Sequence, residues 1–392
     1  MARAFDLCIV GGGIIGCATA YYAARAGLSV VLCERGTLAG EASGLNPGTV
    51  ALATKAPGEH VLMARASMAE LARLDAALGH CFDYVRAGSL VIFEDADERA
   101  FAVDHAAALR GHGVEITVID AAEARRIQPI LEGPIAGALW SPRDVLVGSR
   151  ALTLALAQAA RTAGADLREG TAIGAFVRNG EAWDVVAGET SLRARWLVNA
   201  AGVGAPAVGA RVGLDHPIAP RKGQLMATTP IPDVAPVRVT SVQELLRKQG
   251  RPVRAHAGPP VEVGLTPQPG GVVFLGGTQE MVGLDATLDP PTLGTIAMRA
   301  VRLFPRLGEA AIVRAWSGFR PFAPGGRPIV GAVASVPGYV VAGGHGGDGV
   351  ALAPITGRYV ADLVRRGGRA PAFADYAAGL ADGSDAGAAA AR

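Results

Sequence analysis

At 392 residues the chain is longer than one hydrophobic core ordinarily supports, so two domains of common size are expected. Apolar residues make up 50% and charged residues 18%, a globular balance that excludes a disordered chain. The formal net charge of +2 gives no electrostatic footprint for a nucleic acid or an acidic membrane, which points to a small-molecule partner.

The chain opens on a strand from Phe5 to Val10, a glycine turn from Gly11 to Gly16, a helix to about Arg25 and a second strand from Ser29 to Glu34. Leu7 to Ala24 is apolar enough to suggest a signal peptide or anchor, but Gly11, Gly12, Gly13 and Gly16 interrupt it and Arg25-Ala-Gly reads as a helix end. A cytoplasmic protein is therefore expected. Cys8, Cys17, Cys33 and Cys81 show neither C-x-x-C spacing nor a histidine cluster, so they read as packing residues, with neither a disulfide framework nor a metal site.

Gly11-x-Gly13-x-x-Gly16 sits between strand and helix, where each glycine has a task. Gly11 permits the tight turn, Gly13 lets the backbone approach a pyrophosphate, and Gly16 lets the helix pack on the strand. Free N–H groups and the positive end of the helix dipole then favour the phosphate charge. Glu34, ending the second strand, suits ribose hydroxyls and disfavours a 2′-phosphate. These residues predict a dinucleotide site and leave open which dinucleotide, NAD included.

A polar loop from Gly36 to about Pro57 is long for a connection and is a candidate contact with cofactor or substrate. Lys55 lies on it as a candidate substrate contact, although a loop lysine is ordinarily solvent-exposed. Helical spacing resumes from Val61 to Leu78, followed by strands Ser89–Phe93 and Glu115–Ile119 around a helix near Asp97–Arg110. A helix from Gly148 to Ala163 leads to a strand near Asp166, and Trp196 to Gly202 reads as a buried strand ending in a glycine turn. From Ile218 to about Trp316 the pattern is mainly strands, with a helix from Pro291 to Phe304. Within it, Lys248, Arg251, Arg254 and His256 read as a solvated face. Strand Tyr339–Ala342, turn Gly343–Gly349 and a helix to about Arg366 repeat the opening signature, and the low-complexity stretch from Ala378 reads as a flexible tail.

Gly11-Gly-Gly-Ile-Ile-Gly16, Glu34-Arg35, Ala42-Ser-Gly-Leu-Asn-Pro-Gly48, Val198-Asn-Ala-Ala-Gly202, Gly223-Gln224, Trp316-Ser-Gly-Phe-Arg-Pro321 and Gly344-His-Gly-Gly-Asp-Gly349 span nearly the whole chain. Together they resemble the D-amino-acid oxidase family of flavoproteins, in its branch of glycine oxidases, sarcosine oxidases and D-hydroxyproline dehydrogenases. The resemblance implies an α/β fold, with a Rossmann-like FAD-binding domain of the glutathione-reductase type interleaved with an α+β, mixed-sheet substrate domain. Residues 1–80, 141–217 and 318–377 would form the first, 81–140 and 218–317 the second, and 378–392 the tail.

The FAD contacts so implied are Gly11, Gly13, Ile14, Ile15, Gly16, Glu34 and Arg35 in the opening unit and Ala42, Ser43, Asn46, Pro47, Gly48 and Thr49 in the loop. Ile173 would meet the adenine through its backbone, followed by Ala201 and Gly202. The terminal turn would contribute Gly344, His345, Gly346, Gly347, Asp348, Gly349, Val350 and Ala351. Arg320 occupies the place of the family's carboxylate-binding arginine, and a guanidinium offers a fork that matches a carboxylate with two charge-assisted hydrogen bonds.

The implied reaction is oxidation of a small amino acid or N-substituted amino acid, whether glycine, a D-amino acid, D-hydroxyproline or an opine. A hydride equivalent would pass from the α-carbon to the flavin N5, and the resulting imine would be hydrolysed. The flavin does this chemistry, so no protein group is a catalytic candidate. Oxygen, a quinone or a partner redox subunit would accept the electrons, in a homo- or hetero-oligomer. A catalytic subunit of an opine oxidase or cyanide synthase assembly and an NAD-dependent dehydrogenase remain alternatives.

Three departures qualify the resemblance. Ala323-Pro-Gly325-Gly326 lacks the acidic residue of Thr-Pro-Asp-Gly, and Gly347 stands where glycine oxidase has an arginine. Pro321-Phe-Ala-Pro lacks the flavin-anchoring cysteine of sarcosine oxidases, which implies noncovalent FAD.

Overall fold

In a computed structural model, residues 3–253 and 261–381 are described. Strand Arg3–Val10 is the middle of the first sheet, and Leu7, Cys8 and Ile9 are fully buried, as a strand covered on both faces requires. It pairs in parallel with Val30–Cys33 on one side and Thr190–Asn199 on the other, and Val30–Cys33 in turn pairs with Asp166–Arg168. Tyr339–Gly343 joins the far end of Thr190–Asn199, also in parallel. The carboxyl ends of the first, second and last parallel strands therefore open on one side, where ligands of such sheets bind.

Helix Ile14–Arg25 packs between Gly349–Arg365 and Ser149–Thr162 on this sheet. Its buried face is built of Gly16, Cys17, Ala18, Ala20, Ala23 and Ala24, small residues that allow close approach. A Cβ on Gly357 would lie 2.6 Å from the Ala18 carbonyl carbon, so the two helices touch backbone to backbone there.

The second sheet has eight strands, and its edge strand Ile312–Phe322 runs antiparallel to Ala219–Thr228. Ser89–Phe93, Thr117–Asp120 and Gly137–Ser141 complete it at the opposite end, with Ser89–Phe93 parallel to Arg238–Ser241. Two stretches distant in sequence thus build one sheet. Arg320 belongs to it, because the edge strand continues to Phe322.

The structure departs from the sequence expectations in three places. The loop after Glu34 holds a short helix, Ala42–Leu45, and a strand, Thr49–Val50, both too short to give a hydrophobic period. Between Asp166 and Trp196 lie two further strands, Ile173–Asn179 and Ala182–Ala187, which with Thr190–Asn199 form an antiparallel meander. The Asn179-Gly180 dipeptide, with Gly180 at φ +60°, was the local hairpin signal for it. The expected tail begins inside a helix, Phe373–Ala381, anchored by buried Phe373, Tyr376 and Ala377, and residues 382–392 lie outside the described residues.

Candidate functional site

A cavity of about 890 Å³ runs from the first glycine turn to the second sheet. At one end the backbone bends tightly: Gly11 has φ +110° and its missing Cβ would sit 2.6 Å from the Ala200 carbonyl oxygen. Helix Ile14–Arg25 begins here with no acidic residue in its first turn, leaving its positive end toward the cavity. The Ile14 N–H donates to Ser43 Oγ at 2.9 Å, which ties the loop to the helix start. Glu34 accepts from the Gly12 and Gly36 N–H groups, each at 2.7 Å, and a carboxylate has further lone pairs to offer.

Asn46 closes the short helix by donating to the Ala42 and Ser43 carbonyls at 2.8 and 3.0 Å and accepting from the Gly48 N–H at 2.9 Å. Trp316 donates to the Leu45 carbonyl at 2.9 Å, so the second sheet grips the loop of the first. Arg35 and Glu41 form an exposed ion pair at the mouth. Arg211 donates to the Ile173 and Gly174 carbonyls at 2.6 and 2.9 Å, which fixes the backbone of Ile173 at the cavity wall.

The terminal turn brings Gly346, Gly347, Asp348 and Gly349 to the same cavity, and a bridge between His345 and Phe322 fixes it beside the edge strand. His345 is buried, its Nε2 3.1 Å from Thr356 Oγ1, and burial pushes its pKa down to about 4. Lys55 is not the exposed lysine that a loop position suggests: its residue is 4% exposed, it lines the cavity, and its ammonium pairs with Asp348. The loop folds inward because Asp348 gives that charge a partner; His60 Nε2 lies 2.9 Å from the other oxygen. Burial would raise the Asp348 pKa, but Lys55 and His60 hold it well below the usual carboxylate range.

Of the residues expected at the site, Gly16, Gly48, Gly344 and Ala351 do not line the cavity. Gly16 and Gly48 shape it from behind: a Cβ on Gly16 would lie 2.0 Å from the Gly11 carbonyl oxygen, and one on Gly48 would lie 1.9 Å from that of Val147. The other expected residues, Ala201, Gly202 and Val350 among them, do line it.

Arg320 reaches the cavity half-buried, donates to the Thr278 carbonyl at 2.9 Å and lies across Gly223, whose Cβ would come within 2.4 Å of its Nη1. Among the described residues no carboxylate pairs with it. Residues on a strand alternate, so Arg221, Gly223 and Leu225 face the cavity. Gln224 points away and bonds Glu280 at 3.0 Å and the Asp289 N–H at 2.9 Å.

Sequence reasoning missed His60, Arg221, Glu244 and Glu262 on the cavity wall. Only strand alternation could have singled out Arg221, and that requires knowing the strand first. Lys248 is exposed as expected, yet it lines the cavity and pairs with Glu244 at 2.6 Å. Arg251 stacks on Phe101 at 5.0 Å, while Arg254 and His256 lie outside the described residues.

The profile of the family described as FAD dependent oxidoreductase matches residues 6–363. Glycine oxidase of Geobacillus kaustophilus is 31% identical over 376 residues, which cover 93% of this chain and 94% of that protein. A D-amino acid dehydrogenase of Methylobacterium radiotolerans is 30% identical, covering 93% of this chain and 96% of the relative. The crystal structure of the Geobacillus kaustophilus glycine oxidase superposes with a TM-score of 0.84 at 28% identity, over 95% of this chain and 98% of that one. With its paired glycine turns opening on one cavity and the family profile matched over most of its length, the chain belongs to the FAD-dependent oxidoreductases of the DAO family.

Proposed function

We propose that the protein oxidises the carbon–nitrogen bond of a small amino acid or N-substituted amino acid whose carboxylate is held by Arg320. The observation that carries this is a guanidinium without a carboxylate partner among the described residues, in the cavity that both glycine turns enter. Glycine oxidase and D-amino acid dehydrogenase relatives support the same substrate class.

The residues fit a dinucleotide. Gly11 and Gly13 leave the side-chain-free cradle that a pyrophosphate needs, and a Cβ on Gly13 would crowd Ser43 Oγ at 3.2 Å. The Gly13 and Ile15 N–H groups, with the positive end of the helix, would hold the pyrophosphate, because the Gly11, Gly12 and Ile14 N–H groups already donate to the Cys33 carbonyl, Glu34 and Ser43. Glu34 would hold the ribose, and the 42–49 loop with the 345–350 turn the ring system. Pro321-Phe322-Ala323-Pro324 offers no thiol for a covalent link. FAD, when bound, supplies the two-electron acceptor that no side chain provides.

The chain's own residues then orient the substrate and tune its amine. Arg320 fixes the carboxylate, which limits where the neighbouring carbon can lie. Arg221 and Arg320, which have no carboxylate partner among the described residues, disfavour an additional positive charge on the wall, so they favour the neutral, reactive form of the amine. We further propose that the first sheet with its helices is the FAD domain and the second sheet the substrate domain.

Replacing Arg320 with Met removes two charge-assisted hydrogen bonds. A loss of about 3 kcal/mol is expected, on the order of a hundredfold in kcat/KM and carried mainly by KM. Steady-state kinetics on the best amino-acid substrate checks this, and an unchanged KM removes Arg320 from the role.

A further inference from the structure

The wall that carries Arg320 holds more positive charge than its own acids neutralise. Glu244 lies between Arg238 at 3.1 Å and Lys248 at 2.6 Å. Glu262 is engaged by Arg247 at 2.8 Å and by the Gln279 amide at 2.6 Å. Asp348 is taken by Lys55 and His60. Every cavity acid near the second sheet is therefore occupied, and two guanidiniums, Arg320 and Arg221, have no carboxylate partner among the described residues.

These two arginines stand directly opposite each other, Arg320 on the edge strand and Arg221 on its antiparallel neighbour. Opposed like charges on one sheet face destabilise it, so their presence needs a compensating anion. Their side chains diverge. Arg320 lies across Gly223 and reaches the Thr278 carbonyl, whereas the Arg221 guanidinium lies over the Phe322 ring, 4.2 Å from its centroid. A Cβ on Gly346 would come within 3.8 Å of Arg221 Nη2, so the terminal turn passes beside the guanidinium without crowding it, and both residues line the cavity. Arg221 Nε is buried with no hydrogen-bond partner, and burial, followed by the facing Arg320 charge, lowers the Arg221 pKa.

We propose that Arg221 is a second carboxylate-binding residue, and that the substrate is an amine carrying two carboxylates a few bonds apart, one on Arg320 and one on Arg221. Arg221 is thus the residue that selects dicarboxylates from simple amino acids. This rests on Arg320 holding the first carboxylate. Divergent forks on neighbouring strands match two anionic ends separated by a short spacer better than one carboxylate shared between them.

The test is calorimetric binding of succinate and glutarate, against acetate and butyrate, to the FAD-loaded enzyme, with kcat/KM for iminodiacetate and glutamate enantiomers against sarcosine and glycine. Dicarboxylates should bind about tenfold tighter or more than monocarboxylates of similar size, with the same preference in kcat/KM. Arg221→Met should abolish that preference while monocarboxylate binding persists, and Arg221→Lys should restore part of it. Equal binding of both classes by the unaltered enzyme overturns the proposal. So does an Arg221→Met variant that keeps its dicarboxylate preference but loses FAD affinity or sulfite reactivity, which would place Arg221 on the cofactor. If Arg320→Met leaves binding of every carboxylate unchanged, the reading of Arg320 falls and this proposal falls with it.

Discussion

Asp348 joins two segments nearly three hundred residues apart by holding the Lys55 ammonium in the cavity wall. Its depressed pKa means that this stabilisation is complete above the ordinary carboxylate value of 3.8 and is lost as pH falls through the lower folded-state value. Asp348→Asn leaves a buried ammonium without its anion and should cost about 3 kcal/mol, the low end for a broken buried pair because Asp348 keeps 20% of its side chain exposed. Adding Lys55→Met should recover part of that loss, and urea midpoints of the three proteins at saturating FAD check both statements. His345 acts in a different window. Its imidazole stays neutral in the folded protein down to about 4, while the unfolded chain takes up the proton from 6.5. Stability should therefore fall as pH drops from 6.5 to 4, by roughly 3 kcal/mol from this residue. His345→Asn should flatten the pH dependence of the urea midpoint by that amount, and an equal slope in the variant would show that His345 is not buried neutral.

Among the elements, the close contact of helix Ile14–Arg25 with Gly349–Arg365 is the most sensitive to a single atom. A methyl group on Gly357 would meet backbone and Cβ atoms of Ala18 at 2.6 to 2.8 Å, which rotation of a side chain cannot relieve. Gly357→Ala should destabilise the protein by about 1–3 kcal/mol, read as a lower denaturation midpoint, even though alanine favours helix more than glycine does. The opening strand, turn and helix were legible because three local signals coincide there: an apolar run, the spacing of Gly11, Gly13 and Gly16, and the acid Glu34 at the next strand's end. The same was true of the terminal turn. The meander from Ile173 was not, because Ile173–Asn179 mixes buried and exposed positions without clean alternation, Ala182–Ala187 alternates over only six residues, and only the Asn179-Gly180 turn marks the hairpin. The cavity's charge arrangement was less legible still. Arg221 opposite Arg320, and Lys55 against Asp348, are pairings across long sequence separations that only the folded sheet and turn create.

At the scale of the whole molecule, two eight-stranded sheets share one cavity, the first offering glycine turns and a helix amino end, the second a row of guanidiniums. Among the described residues no helix is long and apolar enough to cross a membrane. Trp316 to Leu45 and His345 to Phe322 are among the ties between the sheets, so the 42–49 loop and the strand carrying Arg320 are held in register. On the proposed reading, a substrate carboxylate is anchored on the second sheet and the reacting carbon is presented toward the first. The most direct measurement is anaerobic titration of the FAD-loaded enzyme with an amine that carries a carboxylate and with the same amine lacking it, following the flavin's visible absorbance. The carboxylate-bearing amine should bleach the flavin and its counterpart should not, with Arg320→Met needing on the order of a hundredfold more substrate. Equal bleaching by both amines, or none by any amine from a protein that holds FAD, would contradict a carboxylate anchored on Arg320.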